Sequence, residues 1–253
     1  MIVAICVFSL FHPVELQLQP ARANVLVVEQ SGHRQTLEGL NSITLRSPAT
    51  ATGRNGAQTA FILSIPGKIR REFYGQLEVR QKDDHLLAIV TMDRENAVAS
   101  IVSAESPPSA PLEARKAQAV VARSFLIAAH NRHEGFDFCD TTHCQFLREA
   151  PPPGSPSAEA VAQTRDLIIA YQGRAIAALY SANCGGKTQS LEDAGWNPEA
   201  YPYFAVECPV RREVAGHRIG MCQEGAAQMA RNGNTFREIL SHYFPATTII
   251  SNP

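Results

Sequence analysis

Two sets of residues have types and spacings that could do chemistry. The first lies in FDFCDTTHCQ, Phe136 to Gln145, where Cys139, Asp140, His143 and Cys144 fall within six positions. Thiols and an imidazole at such spacing fit a metal site, a disulfide or a catalytic thiol, and the residues by themselves leave all three open. The second is Glu105. It lies four residues past Ile101 and seven past Val98, so it extends an apolar helical stripe, and Ser106-Pro107-Pro108 ends the helix directly after it. A carboxyl that faces apolar surroundings at the negative end of a helix has two reasons to hold its proton, which a general acid working near neutral pH needs. A solvated Glu at a frayed helix end is the plainer reading of the same spacing.

These residues need elements to position them. Asp93 is placed to cap a helix through Ala97, Val98, Ile101 and Val102. Pro111 opens a second helix, PLEARKAQAVVARSFLIAAHNR, with Ala114, Ala117, Val121, Phe125 and Ala128 on one stripe. Lys116 and Arg123, seven apart, share another face that would hold an anionic or polar ligand if it met a cleft. Before residue 92 the chain reads as β: alternation at Val14, Leu16 and Leu18, then Val25 to Val28, SITLR, TAFILSI, Phe73 to Val79 and LLAIVT. SPATATGRNG, Ser47 to Gly56, reads as turn, and the apolar run Ile2 to Phe11 as a first buried strand in preference to a signal-peptide remnant. Later come a loop at Ala150 to Ser157, a short helix from about Ala158 to Arg165, a hairpin turning at Gln172-Gly173, and a final helix capped by Thr235 and Glu238. The expectation is an α+β fold, with a β-rich N-terminal scaffold over 1–92 and a helix-containing catalytic region over 93–253 forming a cleft.

The composition excludes some classes. A net charge of −1 and a pI near 6.7 give no footprint for nucleic acid or an anionic membrane. Six cysteines in 253 residues are too few for a disulfide scaffold, and an even count permits bridges without requiring them.

Six stretches in order resemble the stage II sporulation protein D (SpoIID/LytB) family. They are Glu105 before proline, EARKAQAVVARSF (Glu113 to Phe125), CDTTHCQ (Cys139 to Gln145), YSANCGG (Tyr180 to Gly186), PYF (Pro202 to Phe204) and GHRIGMCQEGA (Gly216 to Ala226). Each stretch is weak alone, but six in order are specific. The resemblance implies a lytic transglycosylase of the bacterial envelope. It would cleave the β-1,4 bond between N-acetylmuramic acid and N-acetylglucosamine in peptidoglycan glycan strands, leaving 1,6-anhydromuramic ends. Strands stripped of stem peptides by an amidase are the substrate implied. Some relatives are known only as amidase enhancers, so a silent glycan-binding module of the same fold is the alternative. The family's catalytic glutamate falls on Glu105, and Lys116, Arg123, Tyr180, Tyr203 and Gln145 fall on cleft or motif positions assigned to glycan binding. Simple packing is the competing reading for the two tyrosines. This chain departs from the family pattern at Ser106, where Met is usual, at Arg218, where Gly is usual, and at Cys222, where Ser is common.

The resemblance also bears on FDFCDTTHCQ, because family members carry a zinc bound from this segment. A Cys139–Cys144 bridge would leave His143 without a role. A Cys-His hydrolase using Cys144 or Cys222 would ignore Glu105, and adjacent His143 and Cys144 are not expected to face each other. A structural zinc uses Cys139, His143 and Cys144, with His133 as candidate fourth ligand, read equally as a solvated helix-end histidine, and Asp140 orienting a ligand or forming the turn without binding metal. Cys184 and Cys208 read equally as a bridged pair, if the protein is exported, or as two free thiols. A bridge there would close a loop worth roughly 3 kcal/mol in the chain-entropy picture.

Overall fold

The computed structural model describes residues 1–196 and 201–252. The elements run β1 (Ile2–Val7), β2 (Leu16–Pro20), β3 (Val25–Gln30), β4 (His33–Glu38), β5 (Ile43–Leu45), β6 (Ala49–Thr52), β7 (Thr59–Ile65), β8 (Ile69–Lys82) and β9 (His85–Asp93). Next are α1 (Arg94–Glu105), α2 (Leu112–Ala128), β10 (Phe138–Cys139), α3 (Pro156–Gln163), β11 (Leu167–Tyr171), β12 (Arg174–Ala175), β13 (Tyr180–Ser181), β14 (Met221–Cys222), α4 (Gln223–Arg231), α5 (Phe236–Tyr243) and β15 (Thr248–Ser251). The α+β expectation holds. Among the described residues, no helix is long and apolar enough to cross a membrane.

The chain forms two compact units. One is 1–101 with 131–150, and the other is 102–130 with 151–253. The expected boundary at residue 92/93 therefore moves into α1, and the Cys-His segment returns to the β-rich unit. In that unit a ten-stranded sheet follows the order β10-β1-β9-β8-β6-β3-β4, with β2, β5 and β7 branching from it. β1 pairs antiparallel with β9 along its length and parallel with β10. Val3, Ile5, Cys6 and Val7 are buried, as a run of β-branched and apolar residues at the centre of a sheet should be. β8 is long enough to serve three partners, β7, β9 and β6. Ile69 to Gly75 pair with β7, and Gln76 to Lys82 pair with β9. Gly75 sits at the switch, where a Cβ would overlap the Thr91 carbonyl oxygen, so only glycine lets the two backbones come this close. β6 corrects the turn reading of Ser47 to Gly56: Ala49 to Thr52 pair with β3 and Ala49 to Ala51 with β8, and Ala49 and Ala51 point inward.

In the second unit α2 is the centre. From Ala114 to Leu126 all but Lys116 are buried, and Ala117, Val120 and Val121 pack in a cluster with Ile169, Ile176, Tyr201, Tyr203, Ile239 and Phe244. β11 is flanked by β12 and β15. The β11–β12 hairpin turns at Gln172 and Gly173, both at positive φ as a type I′ turn requires. α5 begins with the complete capping box, Thr235 and Glu238 each accepting from the other's backbone N–H. β13 and β14 form a short parallel pair, Tyr180 opposite Met221 and Ser181 opposite Cys222.

Candidate functional site

Glu105 closes α1. Asp93 caps this helix, its Oδ1 accepting from Glu95 N at 2.8 Å. Ala97, Val98, Ile101 and Val102 are fully buried, which fixes the rotation of the helix and so the direction of Glu105 on the same stripe. Glu105 itself is half-buried. Its carboxylate accepts a hydrogen bond from the Tyr180 hydroxyl. Burial, the neighbouring Glu105 charge and that bond together push the Tyr180 phenol well above its ordinary value, so it stays protonated and donates. Gln223, at the start of α4, donates to the Glu105 carbonyl at 3.1 Å and to Gln118 Oε1 at 3.2 Å, joining the ends of α1 and α4 to the middle of α2. A recess beside them is lined by Ser106, Ala114, Gln118, Met221 and Gln223. The buried Gln118 Nε2 has no protein acceptor there.

His217 was not assigned a role from sequence, although it lies in the GHRIG stretch. Its Nδ1 accepts from Ile219 N at 3.1 Å, and its other ring nitrogen donates to the Tyr180 carbonyl. Burial holds the ring below its usual range, and the two bonds suit a neutral imidazole with the proton on Nε2. Tyr180 is thus held through its backbone by His217 and β14 while its hydroxyl reaches Glu105.

The expected glycan-binding residues divide. Lys116 is partly exposed, and its Nζ pairs with Glu113 three residues earlier on α2. Burial would raise Glu113, but hydrogen bonds from Lys116 and from Phe236 N outweigh it and hold that carboxyl below the usual range. Arg123 is fully buried, and its Nη1 donates to the Leu167 carbonyl at 3.0 Å, which ties α2 to β11. Arg123 was expected to face a cleft; here it is buried on a helix covered on nearly every side, while Lys116 on the same stripe stays partly exposed. Tyr203 is also buried. It packs edge-on to Tyr201 and donates to the Ala177 carbonyl, so the packing reading is the one observed. Gln145 is buried beside Cys144 in the first unit.

In the first unit the Cys-His segment forms a compact set. One donor atom from each of His133, Cys139, His143 and Cys144 lies within 4.8 Å of the others. His133 Nε2 is 3.2 Å from Cys144 Sγ, and His143 Nδ1 is 3.5 Å from Cys144 Sγ and 3.8 Å from Cys139 Sγ. A tetrahedral zinc with ordinary bond lengths has ligand–ligand edges of about 3.3–3.8 Å. Four residues that could hold a metal are therefore already gathered at nearly the right spacing. The expectation that His143 cannot face Cys144 is overturned, because the turn after Thr141 brings the ring back over both sulfurs. Contact with Cys144, with help from Thr141 and His143, holds Cys139 down at about 3 despite burial, and the same contact pushes Cys144 up.

β10 carries Cys139 alongside Cys6 of β1. Asp140, also buried, takes no part in the donor set. It accepts from Phe8 N at 2.9 Å, Ser9 N at 3.2 Å and Ser9 Oγ at 2.6 Å, and pairs with Arg71 at 3.4 Å. That carboxylate anchors the loop to the end of β1, whereas the sequence predicts that it orients a metal ligand or forms the turn.

Residues 82–171 match the SpoIID family, described as stage II sporulation protein. A segment of 125 residues is 34% identical to an uncharacterized protein of Brachyspira hyodysenteriae, covering 48% of this chain and 34% of that protein. The chain thus spans about a third of the length of the curated relative it matches. The family match supports a sporulation- or cell-wall-related role.

Proposed function

We propose, from the match of residues 82–171 to the SpoIID family, that this chain is a lytic transglycosylase of peptidoglycan glycan strands with Glu105 as its single general acid and base. The observation that carries this reading is the Glu105 carboxyl, half-buried at the end of α1 and hydrogen-bonded by the Tyr180 hydroxyl. In the first half of the reaction the protonated carboxyl gives its proton to the glycosidic oxygen between N-acetylmuramic acid and N-acetylglucosamine, and the C1–O bond breaks. In the second half the carboxylate takes the proton of the muramyl C6 hydroxyl as that oxygen bonds to C1. The enzyme ends in its starting protonation state and no water is consumed. The Tyr180 hydroxyl favours the ionised carboxyl, so it assists most after the leaving group has departed. Hydrolytic glycosidases place a second carboxylate to handle water or to act as nucleophile, which this route does not require.

The substrate implied is a glycan strand freed of stem peptides by an amidase, and the working location is the cell envelope, outside the cytoplasm. His133, Cys139, His143 and Cys144 fit a structural zinc, which when bound supplies a cross-link holding their loop. The runner-up is a non-catalytic glycan-binding or amidase-enhancing module.

Digestion of amidase-treated glycan strands decides between the two readings, with anhydromuramyl ends read by mass spectrometry. The parent protein should release them. Glu105→Gln keeps the shape but has no proton to deliver, and should lose about 100- to 10,000-fold in rate. A folded parent that binds strands and releases no such ends supports the silent module, and near-parental release by Glu105→Gln removes Glu105 from the role of acid.

A further inference from the structure

Among the described residues, outside the Glu105 site and the His133–Cys144 set, one more group of side chains converges. Cys184, Cys208 and Cys222 are all buried, and their three sulfurs lie within 4.8 Å of one another. They come from three separate segments of the second unit. Cys222 ends β14, Cys184 follows β13, and Cys208 is held by its N–H to the Gly186 carbonyl at 2.9 Å. Buried free cysteines commonly act as small apolar side chains. Here, however, polar donors point at the sulfurs. Gly186 N donates to Cys184, Val210 N to Cys208, and both Gly225 N and Cys184 N to Cys222. The Tyr243 hydroxyl is 3.3 Å from Cys208 Sγ. Cys222 is also the N-cap of α4, where the helix dipole favours a thiolate. The cradle is kept open by Gly225, at which a Cβ would overlap both the Tyr243 hydroxyl and Cys208 Sγ.

Three neighbouring sulfurs buried in an apolar core can all ionise only with a cation between them. A single disulfide would leave the third sulfur and its donors unexplained. Thiolates select soft or borderline ions, and three of them with one oxygen suit zinc in a closed tetrahedral site. Three sulfurs around zinc stand about 3.8 Å apart, within the observed limit.

We propose that Cys184, Cys208 and Cys222 form a second structural zinc site, with the Tyr243 hydroxyl on its fourth side. Each thiol proton leaves to solvent as its sulfur binds the metal. The ion would staple β13 to β14 and to the Cys208 loop, and so steady the strand that carries Tyr180. This assignment stands apart from the proposed glycan chemistry, since it concerns metal content alone.

The test is zinc content, by elemental analysis and native mass spectrometry, of full-length chain purified under reducing conditions without chelator. Cys139→Ser/Cys144→Ser removes the sulfurs of the first set only. It should keep one zinc per chain, and adding Cys208→Ser should remove it. A folded double variant without zinc overturns the proposal, as does retention of zinc by the triple variant. If the double variant does not fold, the unaltered chain decides: two zincs per chain support the site, and fewer overturn it. A disulfide between any two of the three cysteines in freshly purified protein, found by peptide mapping without reductant, also overturns it.

Discussion

Tyr180 is the neighbour through which the surroundings reach Glu105. Its hydroxyl donates to the carboxylate, its carbonyl accepts from His217, and β14 holds its backbone. Tyr180→Phe keeps the ring and removes only the donor, which favoured the ionised carboxyl. The alkaline limb of the pH–rate profile for anhydromuramyl release should therefore move to higher pH, with kcat lowered more than KM is raised. A profile that superimposes on the parent's would show that the bond has no part in the reaction. The contrast with Arg123 and Tyr203 shows what single residues reveal in a sequence. The place of Glu105 at the end of a helix was legible because a stripe of buried positions and a proline stop act locally, whereas its chemical role came from the resemblance and not from spacing. Cys139, His143 and Cys144 were legible because their donors are near in sequence. The burial of Arg123 and Tyr203 is decided by what packs around α2, and no local spacing encodes that. His217 and Gln118 carry no local signal of their kind. Their roles follow from partners 37 and 105 residues away in the chain, Tyr180 and Gln223.

Among elements, those written in strong periodicity or cap chemistry matched the expectation: α1 after Asp93, α2 after Pro111, the Gln172-Gly173 hairpin and the Thr235 capping box. β4 and β6 did not, because His33 to Glu38 is almost wholly polar and exposed and Ala49 to Thr52 sits among turn-forming residues. Sheet neighbours, not propensity, make both of them strands. The junction of α2 with α5 yields a pH prediction. Glu113 accepts from Lys116 on its own helix and from Phe236 N at the start of α5. Its carboxyl lies below the usual range in the folded chain. A depressed carboxyl stabilises the fold above its unfolded pKa of about 4.3, and that contribution fades as pH falls toward the folded value. Glu113→Gln should lower the urea midpoint at neutral pH and flatten the loss of stability from about pH 5 to pH 3. Parallel curves for parent and variant would mean that another carboxyl carries the acid sensitivity.

At the scale of the whole molecule, the chain leaves the β-rich unit inside α1, builds α2, and returns for residues 131–150 before completing the second unit. A linear division at residue 92/93 misses this, because the return is made by pairing between residues far apart in sequence. β10 joins β1 in parallel, and Asp140 binds the backbone at Phe8 and Ser9. The consequence is that a metal at His133, Cys139, His143 and Cys144 would stabilise the strands of the first unit and leave the helices of the second to other forces. Binding to the folded form alone adds stability by mass action, and a structural zinc can add several kcal/mol. Cys139→Ser/Cys144→Ser should therefore lose zinc from this set and speed amide exchange in β1, β9 and β10. Exchange in α2, β11 and α5 should stay at parental rates. Hydrogen exchange read by mass spectrometry localises the effect. Acceleration spread evenly over both units would show that the 131–150 return is not a support of the first unit in particular, and an unchanged β1 would show that the set contributes nothing to the sheet it adjoins.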